Sequence, residues 1–163
     1  MILTQWMACV RGVPLKSLAP LLVGVLAAPA AHALDTAQWQ AVAPALQAAL
    51  ECRTKPDTTG AAWTSLPRDA EGGIAAIKPP APFLVFGLPV REVAIFIDAS
   101  GELGESYTAD LGASLAAVRK AAKLNAEDGR TTPMGDLTLG GDTSPKLTCT
   151  VAGAYDESDY QEN

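Results

Sequence analysis

The sequence predicts an α+β domain in which a small antiparallel sheet packs against an N-terminal helix and one mid-chain helix, with one disulfide. Helical patterns before and after a block of short apolar strands indicate this class, because strands followed by segregated helices give α+β layers. A pair of cysteines beyond an N-terminal export signal indicates the disulfide.

Residues 1–33 have the pattern of a cleaved signal peptide. Arg11 and Lys16 carry positive charge, an apolar run follows from 18 to 28, and Ala31-His32-Ala33 is of the A-x-A type. The apolar run is shorter than the ~20 residues that a spanning helix needs. We therefore expect a periplasmic or secreted protein, with no membrane insertion after cleavage.

The mature chain is predicted to be one α+β domain over residues 34–154, followed by an acidic, flexible tail over residues 155–163. Cleavage removes two of the 12 basic residues and none of the 18 acidic ones, so the mature net charge is −8. This charge disfavours nucleic acid and anionic lipid and favours a basic exported protein as partner. The same charge equally serves solubility alone.

Cys52 and Cys149 are predicted to form the disulfide, since the third cysteine, Cys9, lies in the signal peptide. The bond would join the end of the first helix to the last strand. Closing a loop of this length stabilises the fold by about 4–5 kcal/mol in the chain-entropy model. A structural bond is favoured over a redox-active one because the chain contains no C-x-x-C motif.

The first predicted helix begins at the N-cap Asp35, with Gln38 three residues later, and leads into Cys52. Pro44 lies inside the pattern, where it kinks the helix or begins a second one. The apolar residues at helical spacing are Trp39, Val42, Ala43, Leu46, Ala49 and Leu50.

The second predicted helix begins at an N-cap Asp110 and ends at Asn125, with Arg119 and Lys120 in its last turns. Basic side chains there interact favourably with the helix dipole. Its predicted buried stripe is Leu111, Leu115, Val118, Ala122 and Leu124.

Five segments are predicted as strands: 83–86, 92–98, 105–109, 136–139 and 146–151. The segment 92–98 has apolar residues at successive positions, which predicts a central strand covered on both faces. The alternation in 146–151 predicts a sheet with one face in water, and the last two strands are expected to form a hairpin.

The segment 53–82 is rich in proline and glycine, with one predicted helical turn at 61–66 and a short strand at 73–77. Long irregular segments are often functional. Trp63 in this segment either packs onto the core or belongs to a binding surface, and the packing role is favoured.

The mature chain contains no histidine, which excludes Ser-His-Asp and Cys-His catalysis and a His-ligated metal site. Phosphate-binding glycine motifs are also missing. We therefore assign no catalytic residue, no metal and no cofactor. Carboxylate chemistry remains, because Asp98, Glu102, Glu105 and Asp110 lie near one turn, and two carboxylates can hydrolyse a glycosidic bond.

A polar, glycine-bearing loop at 100–107 is the candidate binding element. Its sequence, Ser-Gly-Glu-Leu-Gly-Glu-Ser-Tyr, resembles the Ser-Gly-x-x-Tyr loop with which some periplasmic lysozyme inhibitors plug their target, with a longer spacing. The resemblance covers these eight residues and implies that the loop enters a partner's cleft. The candidate binding residues are Trp63, Ser100, Glu102, Glu105, Ser106 and Tyr107.

The leading hypothesis is an exported, non-enzymatic binding protein, an inhibitor or immunity-type protein against a cell-wall-degrading enzyme. Its basis is export, acidity, the missing histidine and a small disulfide-linked domain. A carboxylate-dependent hydrolase of envelope glycans is one alternative. An envelope structural or assembly component is another.

Overall fold

A computed structural model of the chain describes residues 32–141 and 143–154. These residues form an α+β fold, as predicted, with a largely antiparallel sheet, an N-terminal helix and a mid-chain helix. The predicted signal peptide up to residue 31 and the predicted tail lie outside the described residues. In chain order the elements are β1 His32–Ala33, α1 Thr36–Leu50, α2 Ala61–Thr64, β2 Ile77–Lys78, β3 Leu84–Val85, β4 Leu88–Ile97, β5 Glu105–Leu111, α3 Leu115–Ala122, β6 Gly129–Thr131, β7 Asp136–Gly140 and β8 Lys146–Val151.

The strands of the sheet lie in the order β1-β2-β4-β5-β8-β7-β6, and β3 forms a hairpin with β4. The long strands β4, β5 and β8 occupy the centre and pair antiparallel. β7 and β8 form the predicted hairpin, and β6, which the sequence did not predict, extends the sheet beyond it.

The short strand β1 pairs in parallel with β2, with His32 opposite Ile77. Its two residues are the last two of the predicted signal peptide. Cleavage after Ala33 would therefore remove β1 and make β2 the outermost strand on that side. Leu34, the first residue of the predicted mature domain, is buried in the core.

The helix α1 runs as one continuous helix with Pro44 inside it. Asp35 is its N-cap, as predicted, and its carboxylate accepts a hydrogen bond of 2.9 Å from the Gln38 N–H. The helix lies across β5 and β8 on the inner face of the sheet. The side chains that it buries there are Trp39, Val42, Leu46, Ala49 and Leu50.

The predicted disulfide joins Cys52, at the end of α1, to Cys149 in β8. The two Cα atoms are 5.3 Å apart, and 97 positions of sequence separate the residues. Both side chains are buried in the core. The Thr132 hydroxyl donates a 2.9 Å hydrogen bond to the Cys52 carbonyl, which also ties the β6–β7 connection to this junction.

The predicted start of the mid-chain helix at Asp110 is wrong. Asp110 and Leu111 continue the strand β5, and the helix α3 begins only after the N-cap Ser114, which accepts from the Ala117 N–H. Asp110 pairs with Glu92 and with Lys146 in the sheet, and this pairing extends the strand past the position where a local cap pattern predicts a helix. Lys123 closes the helix in a left-handed conformation.

The prediction that β4 is covered on both faces is also wrong. Val93 and Ile95 are buried on the inner face, but Phe96 on the outer face is 50% exposed. Its neighbours across the sheet are Ser106 in β5 and, beyond it, Thr150 in β8. Because these neighbours are hydroxyl side chains, the outer face remains in water.

The core lies between this inner face and α1, and the buried segment around Trp63 closes one side of it. Among the described residues, no helix is long and apolar enough to cross a membrane.

Candidate functional site

The loop that connects β4 to β5, residues 98–104, is organised by one carboxylate. Oδ2 of Asp98 accepts hydrogen bonds from the Ser100 hydroxyl at 2.5 Å and from the Leu103 N–H at 2.8 Å. Oδ1 accepts a third from the Ser100 N–H, and the Ser100 hydroxyl oxygen accepts from the Glu102 N–H. The Ser100 hydroxyl first, then the backbone N–H groups of Leu103 and Ser100, hold the pKa of Asp98 below its usual value.

The same loop is held from the other side by the segment that follows β8. The Ala154 N–H donates to the Gly101 carbonyl at 2.9 Å. Gly104 has a φ of +79°, and a Cβ at this position would overlap the Val151 carbonyl oxygen. A Cβ at Gly153 would likewise overlap the Glu102 carbonyl oxygen. The loop is therefore fixed in one conformation by contacts that reach its tip.

This rigid loop presents an apolar side chain to solvent. Leu103 is 69% exposed, and Ser100 and Glu102 beside it are exposed as well. Phe96, on the outer face of β4, is the second large exposed apolar residue at this end of the strand. Leu103 and Phe96 are therefore two exposed apolar side chains at the loop end of the β4–β5 hairpin.

Below the loop, a polar network lies in the interior. Glu105 is 8% exposed, and its Oε2 accepts a 2.5 Å hydrogen bond from the hydroxyl of the fully buried Tyr107. The ammonium group of Lys55 lies 2.9 Å from Oε1 of the same carboxylate. Burial first, then the bond to Glu105, raises the pKa of Tyr107 far above its usual value, so Tyr107 remains neutral. This network joins the irregular segment 53–82 to β5.

Trp63 is buried, which confirms its predicted packing onto the core. Trp63 also lines a cleft of about 170 Å³ between the irregular segment and the end of β4. The cleft adjoins the loop because Ala99 belongs to both. Its other lining residues are Thr58, Arg68, Ile74 and Ile97.

The structure therefore divides the six predicted binding residues into two groups. Ser100 and Glu102 are exposed on the loop, and Ser106 is half-buried on the outer face of β5. Glu105 and Tyr107 lie beneath the loop and Trp63 lies beside it, so these three support the surface from inside.

Sequence reasoning missed Leu103 and Phe96. The available signal for Leu103 was one leucine inside an otherwise polar loop of glycine, serine and glutamate. Phe96 alternates with Ile95 and Ile97, a pattern typical of a strand buried on both faces, so the sequence gives no signal that Phe96 is exposed.

No group of three or more His, Cys, Asp or Glu side chains among residues 32–141 and 143–154 is arranged to hold a metal ion. Two of the carboxylates near the loop, Asp98 and Glu105, instead bind groups of the protein itself. Asp98 binds loop N–H groups, and Glu105 binds Lys55 and Tyr107.

Comparison of the chain with models of protein families, with curated proteins and with solved structures finds no match to any of them.

Proposed function

We propose that this chain is an exported binding protein that inhibits a basic cell-wall-degrading enzyme by inserting the loop 98–104 into the enzyme's cleft. The observation that carries the proposal is a loop locked by Asp98, Gly104 and Gly153 while Leu103 at its tip is 69% exposed.

The rigidity of the loop favours tight binding. A loop that is already ordered loses little conformational entropy when it binds, so more of the contact energy contributes to affinity. The ion pair of Lys55 with Glu105 and the hydrogen bond of Tyr107 to Glu105 hold the β5 side of the loop.

The charge of the chain supports a basic partner. Glu102 lies next to Leu103 at the tip, and the mature domain has an excess of acidic residues. Acidic groups at the rim of an interface accelerate association with a basic protein and make that association salt-dependent. A periplasmic location is part of the same proposal, and the predicted signal peptide and the disulfide support it.

The test measures inhibition of cell-wall lysis by a panel of basic lysozymes and basic peptidoglycan amidases. We expect inhibition of at least one enzyme, weakened by salt, and reduced about 30-fold by Leu103→Asp, as for the loss of an interface hot spot. Leu84→Asp is the matched control, because Leu84 is also an exposed leucine (48%) but lies on the β3–β4 hairpin.

Equal losses of inhibition in Leu103→Asp and Leu84→Asp would contradict the assignment to this loop. Absence of inhibition across the panel, together with no cross-link from a photoreactive residue at position 103 in the periplasm, would contradict the proposal itself. A Glu102→Gln variant tests the hydrolase alternative, since that alternative requires it to abolish turnover of envelope glycans.

A further inference from the structure

A groove of about 370 Å³ lies between α1 and the connection from β2 to β3. Trp39 and Phe83 line it, and their rings pack edge to face with centroids 4.9 Å apart. Pro44 from the helix and Pro82 from the connection add further apolar surface. The volume falls within the roughly 300–1,000 Å³ of pockets that bind whole small molecules, whereas the cleft beside Trp63 is too small for one.

The polar side chains of this groove are two glutamines. Gln40 and Gln47 line it together with Pro44, and the three residues share one face of α1. Nε2 of Gln47 donates to Oε1 of Glu51 at 3.2 Å. The hydrogen bonds of the described residues use the side chains of Gln38 and Gln47 but not that of Gln40. None of the described residues that line the groove is charged, which favours an uncharged ligand, because an unpaired charge is costly against apolar walls.

Pro44 is an unusual residue at its position. It lies in the interior of α1, which begins at Thr36 and ends at Leu50. Proline is the least favourable residue in a helix interior. The side chain of Pro44 is exposed, so packing in the core does not account for it. A role in the groove does account for it.

Pro44 changes the hydrogen bonding of the groove. In a regular helix the N–H of residue 44 would donate to the Gln40 carbonyl, but proline has no N–H. This carbonyl points along the helix towards Pro44, and both residues line the groove. A carbonyl that lacks its helical bond remains available as an acceptor. The groove therefore combines apolar walls with a backbone acceptor that any other residue at position 44 would occupy.

We propose that this groove binds an uncharged aromatic ring compound that carries one hydroxyl or N–H donor. The ring lies against Trp39, Phe83 and Pro44, and its donor bonds to the Gln40 carbonyl. Apolar pockets of this kind take their orientation and specificity from a small number of polar groups. The site does not depend on the proposed inhibitor function, because none of its lining residues belongs to the loop 98–104 or to the network beneath it.

The test uses the disulfide-bonded protein and indole, which has two fused rings and one N–H donor. N-methylindole is the matched ligand without the donor, and indole carboxylate is the charged one. Backbone amide resonances of Gln40, Ala43, Gln47 and Phe83 are followed by NMR during titration. We expect saturable shifts with indole at about one millimolar or below. N-methylindole should bind about fivefold more weakly, the size expected for one hydrogen bond, and the carboxylate should not saturate the site.

The Pro44→Ala variant separates binding from folding. It restores an N–H that bonds to the Gln40 carbonyl, and it removes the proline ring from the wall. Because alanine is favoured in helices, the variant should be more stable than the wild type. It should bind indole about tenfold more weakly and lose the preference for indole over N-methylindole.

A second pair of variants tests the position of the ligand. Ala43→Leu places a larger side chain in the groove and should abolish indole binding. Ala41→Leu is the matched control, since Ala41 is an exposed alanine of the same helix that does not line the groove. It should bind indole as the wild type does.

Four results would overturn the proposal. The first is no saturable shift of the four amides with indole up to millimolar concentration. The second is a Pro44→Ala variant that is less stable than the wild type or binds indole as tightly. The third is an equal loss of binding in Ala43→Leu and Ala41→Leu. The last is concentration-dependent shifts of the same amides without ligand, which would assign the groove to a second copy of the chain.

Discussion

The two ends of β4 are built differently although both are hairpin turns. At its start, Phe86 and Gly87 form a two-residue turn with φ values of 51° and 77°. At its end, the loop 98–104 uses seven residues to reach β5. Two residues with positive φ suffice to reverse a strand, so the longer loop exceeds what chain reversal requires.

The supports of the two turns also differ in origin. The short turn is held from the core, because the carboxylate of Glu51 after α1 accepts a 2.9 Å hydrogen bond from the Phe86 N–H. The long loop is held by Asp98 within itself and by the backbone after β8. The difference is that the short turn is tied to the core, whereas the long loop is held by its own carboxylate and by the segment after β8.

The largest effect on stability is expected from adding one methyl group at each turn. Gly104→Ala should destabilise the protein by about 3 kcal/mol, because a positive φ costs ~1–2 kcal/mol and the Cβ also overlaps the Val151 carbonyl. Gly87→Ala should cost about 1 kcal/mol, because its φ is also positive but no atom lies within 4 Å of the new Cβ. Denaturant unfolding of both variants measures the difference.

Equal losses of stability in the two variants would show that the long loop is no more tightly fixed than the short turn. The loop would then not be pre-organised for binding. A loss confined to Gly104→Ala would support it, and the same variant should also lose inhibition of the target enzyme.

A smaller effect on stability is expected from replacing the carboxylates beneath the two turns. Glu105→Gln removes the charge that pairs with Lys55 and weakens the bond to Tyr107, and should cost about 2 kcal/mol. Glu51→Gln replaces the charged acceptor of the Phe86 N–H by a neutral amide oxygen and removes the ion pair with Arg53, and should cost about 1 kcal/mol. Thermal unfolding followed by circular dichroism measures which of the two variants loses more stability.

The result for Glu105→Gln also bears on the hydrolase alternative. If the variant is destabilised, loss of activity in it does not identify Glu105 as a catalytic acid or base. If it unfolds at the wild-type temperature, the interior network is not a support for the loop. In that case Glu105 is free for another role.

Much of the fold was predictable because it depends on local patterns. The Asp35 cap, the period of α1, the cysteine pair and the alternation in β8 are each visible in a short window of sequence. The start of α3 was not, because β5 continues through Asp110 by pairing with strands that are distant in the sequence. The prediction that the outer face of β4 is covered was wrong for the same reason.

The candidate site was predictable in place but not in detail. The glycine-bearing loop pointed to residues 100–107. Tyr107 and Glu105, however, bond each other in the interior, because β5 alternates and directs both side chains inward. No pattern in the sequence shows that Ala154 returns to Gly101, and this contact is what leaves Leu103 at the tip.

The smallest effect on stability is expected from lowering the pH, and this effect should distinguish the two turns. The Ser100 hydroxyl and the backbone N–H groups of Leu103 and Ser100 lower the pKa of Asp98. For Glu51, burial alone would raise the pKa, but the bonds from the Phe86 N–H, Arg53 and Gln47 outweigh it and lower the pKa. A lowered pKa means that both carboxylates stabilise their turns above the usual carboxyl range, near pH 4, and lose this contribution as the pH falls through the lowered values.

We expect the Leu103 amide resonance to titrate with Asp98 below about pH 4, and the Phe86 amide resonance to titrate with Glu51. Asp98→Asn should remove the first titration, speed hydrogen exchange at Leu103 and leave the second unchanged. If Leu103 exchanges no faster in Asp98→Asn, the backbone contacts with the segment after β8 hold the tip by themselves. The rigidity of the long loop would then come from Gly104 and Gly153 rather than from its own carboxylate.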